Sequence, residues 1–161
     1  MGAKVKAWGA AGIHGQTKLY FYEGNLDAEG YMALLTRALP EIRRLMRGVP
    51  DWTFQHDGAS AHKDRRTNAW LAAHVPNHIT SGPAGEWPGC SPDLNWIEDL
   101  NGILEAKLEE FDEAPNGINA LKARAQRCWG SVPKSTLAAC IRSMPGRLQT
   151  VIETKGAALR H

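Results

Sequence analysis

Residues 54–62, FQHDGASAH, and residues 87–104, WPGCSPDLNWIEDLNGIL, decide how this 161-residue chain is read. The first grows out of a β-prone run, Trp52 to His56, in which Trp52, Phe54 and His56 share one side while Thr53, Gln55 and Asp57 share the other. Asp57 therefore stands at the carboxyl end of a strand. Asp57-Gly58 is a strong hairpin-turn pair, but a hairpin needs an alternating strand after it, and Ala59 to Trp70 reads instead as a loop and then a helix. The second stretch leaves a loop, Ser81 to Pro92, punctuated by Gly82, Pro83, Gly85, Pro88 and Gly89. Ser91 is the N-cap of the helix expected to follow, with Pro92 at its first position and Asp93 in its first turn, where the helix dipole favours an acid. Ile97, Leu100, Leu104, Leu108 and Phe111 then recur at steps of three and four, a stripe that lays this helix against a sheet or another helix. Glu98, taken alone, would be an ordinary solvated glutamate on its surface.

Working outward, Val5 to Ala10 and Lys18 to Tyr22 are β-prone runs separated by turn signals at Gly12 and Gly15, and they predict a hairpin. Asn25 or Asp27 caps a helix carrying Tyr31, Leu34, Leu35, Leu39, Ile42 and Leu45 on one face, interrupted or kinked at Pro40. Lys63 to His74 reads as a helix anchored by Trp70 and Leu71, and a short strand follows near His78 to Thr80. Two helices, Ile118 to Trp129 and Pro133 to Met144, and a short terminal one around Leu148 to Lys155 complete the pattern, with no internal repeat. Strands alternating with helices and closed by helices define an α/β fold. In open sheets of that class, sites form beyond the carboxyl ends of strands, which is where Asp57 stands.

The length and an apolar content of 43% fit one domain, 1–161, with its own core. Nineteen basic residues against 17 acidic ones leave a net charge of +2, too little to predict a polyanion partner from charge alone, so any basic footprint is local. No stretch approaches the roughly 20 apolar residues of a membrane helix, and the N-terminal residues lack a signal core, so the expectation is an intracellular protein with no membrane partner. Cys90, Cys128 and Cys140 form no Cys-x-x-Cys pair and read as free thiols. His56, Asp57, His62 and Cys90 match no usual zinc spacing.

The two quoted stretches resemble the motifs of the mariner-type (Tc/mariner superfamily) DDE transposases. Gln55, Asp57, Ala59 and His62 match a segment resembling Gln-Asp-Asn-Ala-Pro-x-His that carries the family's second catalytic acid, with His56 inserted and Gly58 and Ser60 replacing the usual Asn and Pro. Trp87, Pro88, Ser91, Pro92, Asp93, Leu94, Asn95, Ile97 and Glu98 match the segment of the third acid, resembling Trp-Pro-x-x-Ser-Pro-Asp-Leu-Asn-Pro-Ile-Glu-Asn-x-Trp. Trp96, Asp99 and Asn101 depart where Pro, Asn and Trp are usual. The likeness runs upstream through Trp8-Gly9, Glu23-Gly24 and Ala28 to Leu35.

What the resemblance implies is an RNase H-like mixed sheet flanked by helices, with a helical C-terminal region, holding carboxylates that bind two Mg²⁺ or Mn²⁺ ions for DNA strand cleavage and transfer. On it, Asp57 and Glu98 are the second and third catalytic and metal-ligating acids, and His62 and Asn95 support them. Hard oxygen ligands suit such ions, and two carboxylates about 4 Å apart would repel by about 4 kcal/mol without a cation. Lys63, Arg65 and Arg66, just past the strand end, are the candidate phosphate contacts; a second basic cluster, Arg43, Arg44 and Arg47, reads as a surface face. The acids stand further apart in sequence than is usual in the family, and the extra residues fall in Ser81 to Glu86. No acid upstream of Asp57 matches the family's first motif, so the resemblance implies that the first strand and its Asp are lacking here and that the core is incomplete unless another chain or segment fills it. Three readings stand: an incomplete transposase-type endonuclease domain acting on DNA, nuclear if the source is eukaryotic; a transposon-derived non-catalytic module that binds nucleic acid or protein; and an inert relic stable only as a homo-oligomer, with Trp8, Tyr20 and Tyr22 at an exposed sheet edge.

Overall fold

The computed structural model describes residues 4–80, 87 and 91–157. Strand β1 (Lys6–Trp8) pairs antiparallel with β4 (Tyr20–Tyr22) in the register Lys6 to Tyr22, Ala7 to Phe21 and Trp8 to Tyr20. The predicted hairpin is present, and between its strands the chain makes a second, smaller one, β2 (Ala11–Gly12) with β3 (Gly15–Gln16). Alternation along the hairpin sends Tyr20 and Tyr22 to one core and Leu19 and Phe21 to the other, so the ribbon separates two helical layers.

In the first layer, α1 (Ala28–Leu45) opens on Asp27, whose Oδ1 accepts a hydrogen bond from the Gly30 amide at 2.8 Å. Its face of Tyr31, Leu34, Leu35, Ala38, Leu39 and Ile42 is buried against the hairpin, Phe54, Ala61, Leu71 and Val75. The helix runs unbroken through Pro40. The lost hydrogen bond and ring clash cost about 3 kcal/mol, and the burial of Leu39 and Ile42 on either side offsets them. Strand β5 (Thr53–Phe54) pairs parallel with β6 (Asn77–His78), slightly earlier than the strand expected near His78 to Thr80. The helix expected over Lys63 to His74 is two: α2 (Ser60–Lys63) and α3 (Arg65–His74). Asp64 breaks them because it is a cap, extended in backbone, with Oδ1 accepting from the Arg66 amide at 2.8 Å.

The second layer holds α4 (Ile97–Glu109), α5 (Gly117–Gly130) and α6 (Lys134–Glu153) around Leu100, Ala125, Trp129, Val132 and Leu137. Ser91 does not cap a helix with its side chain; Pro92–Leu94 form a single 3₁₀ turn, Asn95 is extended, and α4 starts at Ile97. Burial of Leu94 and Asn95 against the body of the domain fixes that extended step. Phe111 leaves the predicted stripe: it lies past the end of α4, 43% exposed, with the Arg124 guanidinium 4.2 Å over its ring. The two C-terminal helices expected on either side of Pro145 are one helix, buried at Leu137 and Ala138 before the proline and tied down by Arg147 after it.

Among the described residues the strands thus form three two-stranded pairs, β1 with β4 and β2 with β3 antiparallel and β5 with β6 parallel. The exposed aromatic edge expected at Trp8, Tyr20 and Tyr22 is not found. Tyr20 is 5% exposed and Trp8 packs edge-on against it at 6.0 Å. The loop from Ser81 to Glu86 and Cys90 lie outside the described residues; Cys128 and Cys140 are free thiols. No helix among the described residues is long and apolar enough to cross a membrane.

Candidate active site

A cleft of about 900 Å³ is lined by β1, the segment Trp52 to Asp57 and the turn entering α4. Asp57 and Glu98 both line it, as do His56, His62, Asn95 and Asn101. The two acids come from motifs far apart in sequence, and their segments are joined where Gln55 Nε2 donates to the Leu94 carbonyl at 3.2 Å.

Asp57 follows β5 in the exposed half of the alternation, where its carboxylate reaches the cleft mouth. Its Oδ1 accepts from the Ala59 amide at 3.0 Å and from His62 Nδ1 at 2.5 Å. The His62 hydrogen bond first, with the Ala59 amide and the nearby imidazoles, holds the carboxyl down at about 2 against the opposing effect of partial burial. His62 is fixed from behind: its ring stacks on His56 at 4.7 Å and packs on Tyr31 at 4.0 Å. His56 is buried, shares a 3.3 Å hydrogen bond between Nδ1 and the Tyr31 hydroxyl, and leaves Nε2 without a partner. Burial, and then the neighbouring His62, push its pKa down to about 4, so at neutral pH it is uncharged. Burial also raises the Tyr31 hydroxyl well above its usual range.

Glu98 sits in the first turn of α4, with its amide on the Asn95 carbonyl at 3.0 Å. Asn95 Nδ2 donates to Oε1 at 3.3 Å and Asn101 Nδ2 to Oε2 at 3.1 Å, so amides three residues to either side hold the two oxygens.

The three candidate phosphate contacts lie outside the cleft. Lys63 lies over Gly58, where an added Cβ would meet its Cε at 3.2 Å. Arg66 is engaged by Asp64 in an exposed ion pair at 3.1 Å, while Arg65 is exposed on the first turn of α3. In the second basic cluster, Arg43 Nη2 donates to the His74 carbonyl at 3.0 Å and Arg44 lies 3.7 Å from Glu41.

Sequence reasoning missed Asn101, treated only as a departure from a motif, although its i+3 spacing from Glu98 puts both on one helical face. It also missed Arg147, whose partners Asp93 and Asp99 are remote in sequence. Asp57, Glu98 and the two asparagine amides supply hard oxygen donors of the kind Mg²⁺ and Mn²⁺ prefer. Among the described residues no group of three or more His, Cys, Asp and Glu side chains is placed to hold one ion. The donor types fit a hard divalent cation, and the two acids alone do not complete the three-carboxylate set.

No family model matches the chain. It is 29% identical over 161 residues to the Transposable element Tc3 transposase of Caenorhabditis elegans, covering 99% of this chain and 46% of that protein. It is 30% identical over 155 residues to the Transposable element Tcb1 transposase of Caenorhabditis briggsae, covering 96% of this chain and 54% of that one. The chain thus spans about half the length of the curated relatives it matches. Among solved structures, the catalytic domain of Mos1 mariner transposase superposes with a TM-score of 0.74 at 15% identity, over 92% of this chain and 72% of that one. A second structure of the same domain, with Raltegravir and Mg, gives 0.68 at 18% identity over 92% and 73%, and a third was solved with Raltegravir and Mn. The structural likeness shows the fold, which is that of the Mos1 catalytic domain and is RNase H-like. Over nearly its whole length the chain is similar to these transposable-element transposases, and in fold to the catalytic domain of a mariner transposase, the family that its motifs resemble.

Proposed function

We propose that this chain is a transposase-type endonuclease domain, acting on DNA by metal-dependent phosphoryl transfer, with Asp57 and Glu98 as two of its catalytic, metal-ligating acids. The observation that carries the reading is that both motif acids line one cleft, on segments clasped by the Gln55–Leu94 hydrogen bond. A divalent ion held by Asp57 and Glu98 would supply charge neutralisation and activation of an attacking oxygen. The Mos1 catalytic domain, solved with Mg and with Mn, supports that choice of ion. His62 keeps Asp57 ionised and aimed, Asn95 and Asn101 do the same for Glu98, and Lys63, Arg65 and Arg66 offer phosphate contacts beside the cleft.

Two carboxylates are one short of the family's set, and the fold suggests how a third could enter. Among the described residues β1 pairs with β4 alone and β5 with β6 alone, and both line the cleft, so a further strand added beside either would bring another acid to it. The second reading is a non-catalytic nucleic-acid-binding module, in which Lys63, Arg65 and Arg66, outside the cleft, would contact phosphates without metal chemistry.

Two measurements separate these readings. Manganese titration by calorimetry should show weaker binding in Glu98→Gln and in Asp57→Asn than in the unaltered chain; equal affinity would overturn the metal site. Nicking of supercoiled plasmid in Mn²⁺ that Asp57→Asn abolishes supports the endonuclease. A folded chain that binds DNA without nicking it, indifferent to Asp57→Asn, is the binding module.

A further inference from the structure

The segment that carries Glu98 is held from two sides. On the cleft side Gln55 donates to the Leu94 carbonyl. On the far side Arg147, from the second half of α6, donates from Nη1 to the Asp93 carbonyl at 3.1 Å and from Nη2 to Asp99 Oδ2. One guanidinium thereby spans the 3₁₀ turn before Glu98 and the helical residue after it. Arg147 and Asp99 are largely buried, with side-chain exposures of 18% and 23%, so solvent screens this pair less than the surface pairs of Arg44 and Arg66. A planar fork satisfies two acceptors at fixed separation, which a lysine cannot do.

The geometry matters because Glu98 sits at a discontinuity. The backbone changes from a 3₁₀ turn at Pro92–Leu94 to an extended Asn95 and then to α4 at Ile97. Such a junction has few helical hydrogen bonds of its own, so its angle is set by what grips it. Asp99 is one of the positions at which the acid motif departs from the mariner pattern, and Arg147 is its partner.

We propose that Arg147 is a positioning residue for Glu98: it fixes the 3₁₀-to-helix junction so that the Glu98 carboxylate faces the cleft. This rests on the reading of Glu98 as a metal ligand. The test compares the full chain with Arg147→Gln, Arg147→Lys, Glu98→Gln and the Glu98→Gln/Arg147→Gln double variant. Mn²⁺ affinity is read by electron paramagnetic resonance and amide exchange over residues 93–99 by mass spectrometry, with circular dichroism checking the fold.

Positioning predicts an affinity loss of about tenfold in Arg147→Gln, the scale of losing a support behind a metal ligand. It also predicts a smaller loss in Arg147→Lys, faster exchange over 93–99, and no further loss when Arg147→Gln is added to Glu98→Gln. Arg147→Lys carries the test if Arg147→Gln does not fold. Unchanged affinity in Arg147→Gln, with Glu98→Gln still impaired, would overturn the proposal, as would an equal further loss in the Glu98→Gln background. If Glu98→Gln binds Mn²⁺ like the unaltered chain, the metal reading of Glu98 fails. Faster exchange over 93–99 in Arg147→Gln would then still support the clamp, and unchanged exchange would overturn it too.

Discussion

His56 is buried with one ring nitrogen bonded to Tyr31 and the other without a partner, and its folded pKa near 4 lies below the roughly 6.5 of an exposed histidine. Between those values the unfolded chain takes up a proton that the folded chain refuses. The stabilisation due to a neutral His56 is therefore complete above about pH 6.5 and is lost as pH falls toward 4. Urea midpoints should drop by an equivalent of about 2–3 kcal/mol over that window, and His56→Gln, which keeps a partner for Tyr31, should flatten the slope. An unchanged slope would mean that His56 does not titrate in the fold. Asp57 acts in a lower window: with a folded pKa near 2, its contribution is present above about pH 4 and is lost only below that, so the two are separable. At this scale the sequence was legible for the residues that match a motif and opaque for those that do not. Trp96, Asp99 and Asn101 register in the sequence only as mismatches. In the fold Trp96 lines the cleft, Asp99 meets Arg147 and Asn101 holds Glu98, and their purposes lie in partners that no local pattern displays.

The elements that periodicity predicted well, the hairpin and α1, are those whose apolar spacing and caps agree with one another. Where proline and capping signals stand against tertiary packing, packing decides. Pro40 and Pro145 both lie inside helices, and Ser91 caps none with its side chain. Pro145→Ala should restore a helical hydrogen bond and raise the urea midpoint of the chain by an equivalent of about 1–3 kcal/mol. A lower midpoint would show that the proline's restriction of the unfolded chain outweighs the missing hydrogen bond. The hairpin depends in turn on Gly9: a Cβ there would lie 3.0 Å from Trp129 Cζ2 and 3.1 Å from a Leu19 methyl. Trp129 cannot give way, because it is 2% exposed and its Nε1 donates to the Thr17 carbonyl at 2.6 Å. Gly9→Ala should therefore destabilise the chain by about 1–3 kcal/mol in thermal or urea unfolding, and a neutral result would mean that the indole has room to move.

Across the whole molecule, two cores lie on opposite faces of one thin ribbon, α1 to α3 on one side and α4 to α6 on the other. Leu35 and Leu137, 1% and 0% exposed, belong one to each. Truncating either to alanine should cost about 2–5 kcal/mol. Cores with no shared contacts should give effects in the double variant that add to within about 0.5 kcal/mol, as calorimetry would show. The first core was largely readable from the spacing of α1. The second was not, because its centre, Trp129, joins α5 to a hairpin more than a hundred residues earlier in the chain. That join sets a delay. Thr17 and Gln16 leave the ribosome long before the Trp129 indole and the Trp129 and Val132 carbonyls that they bond, 112, 113 and 116 residues later. At synthesis rates of about 5–20 residues per second the hairpin waits roughly 6–22 seconds with Leu19 and Phe21 uncovered. For that interval the nascent chain depends on whatever else in the cell will shield them.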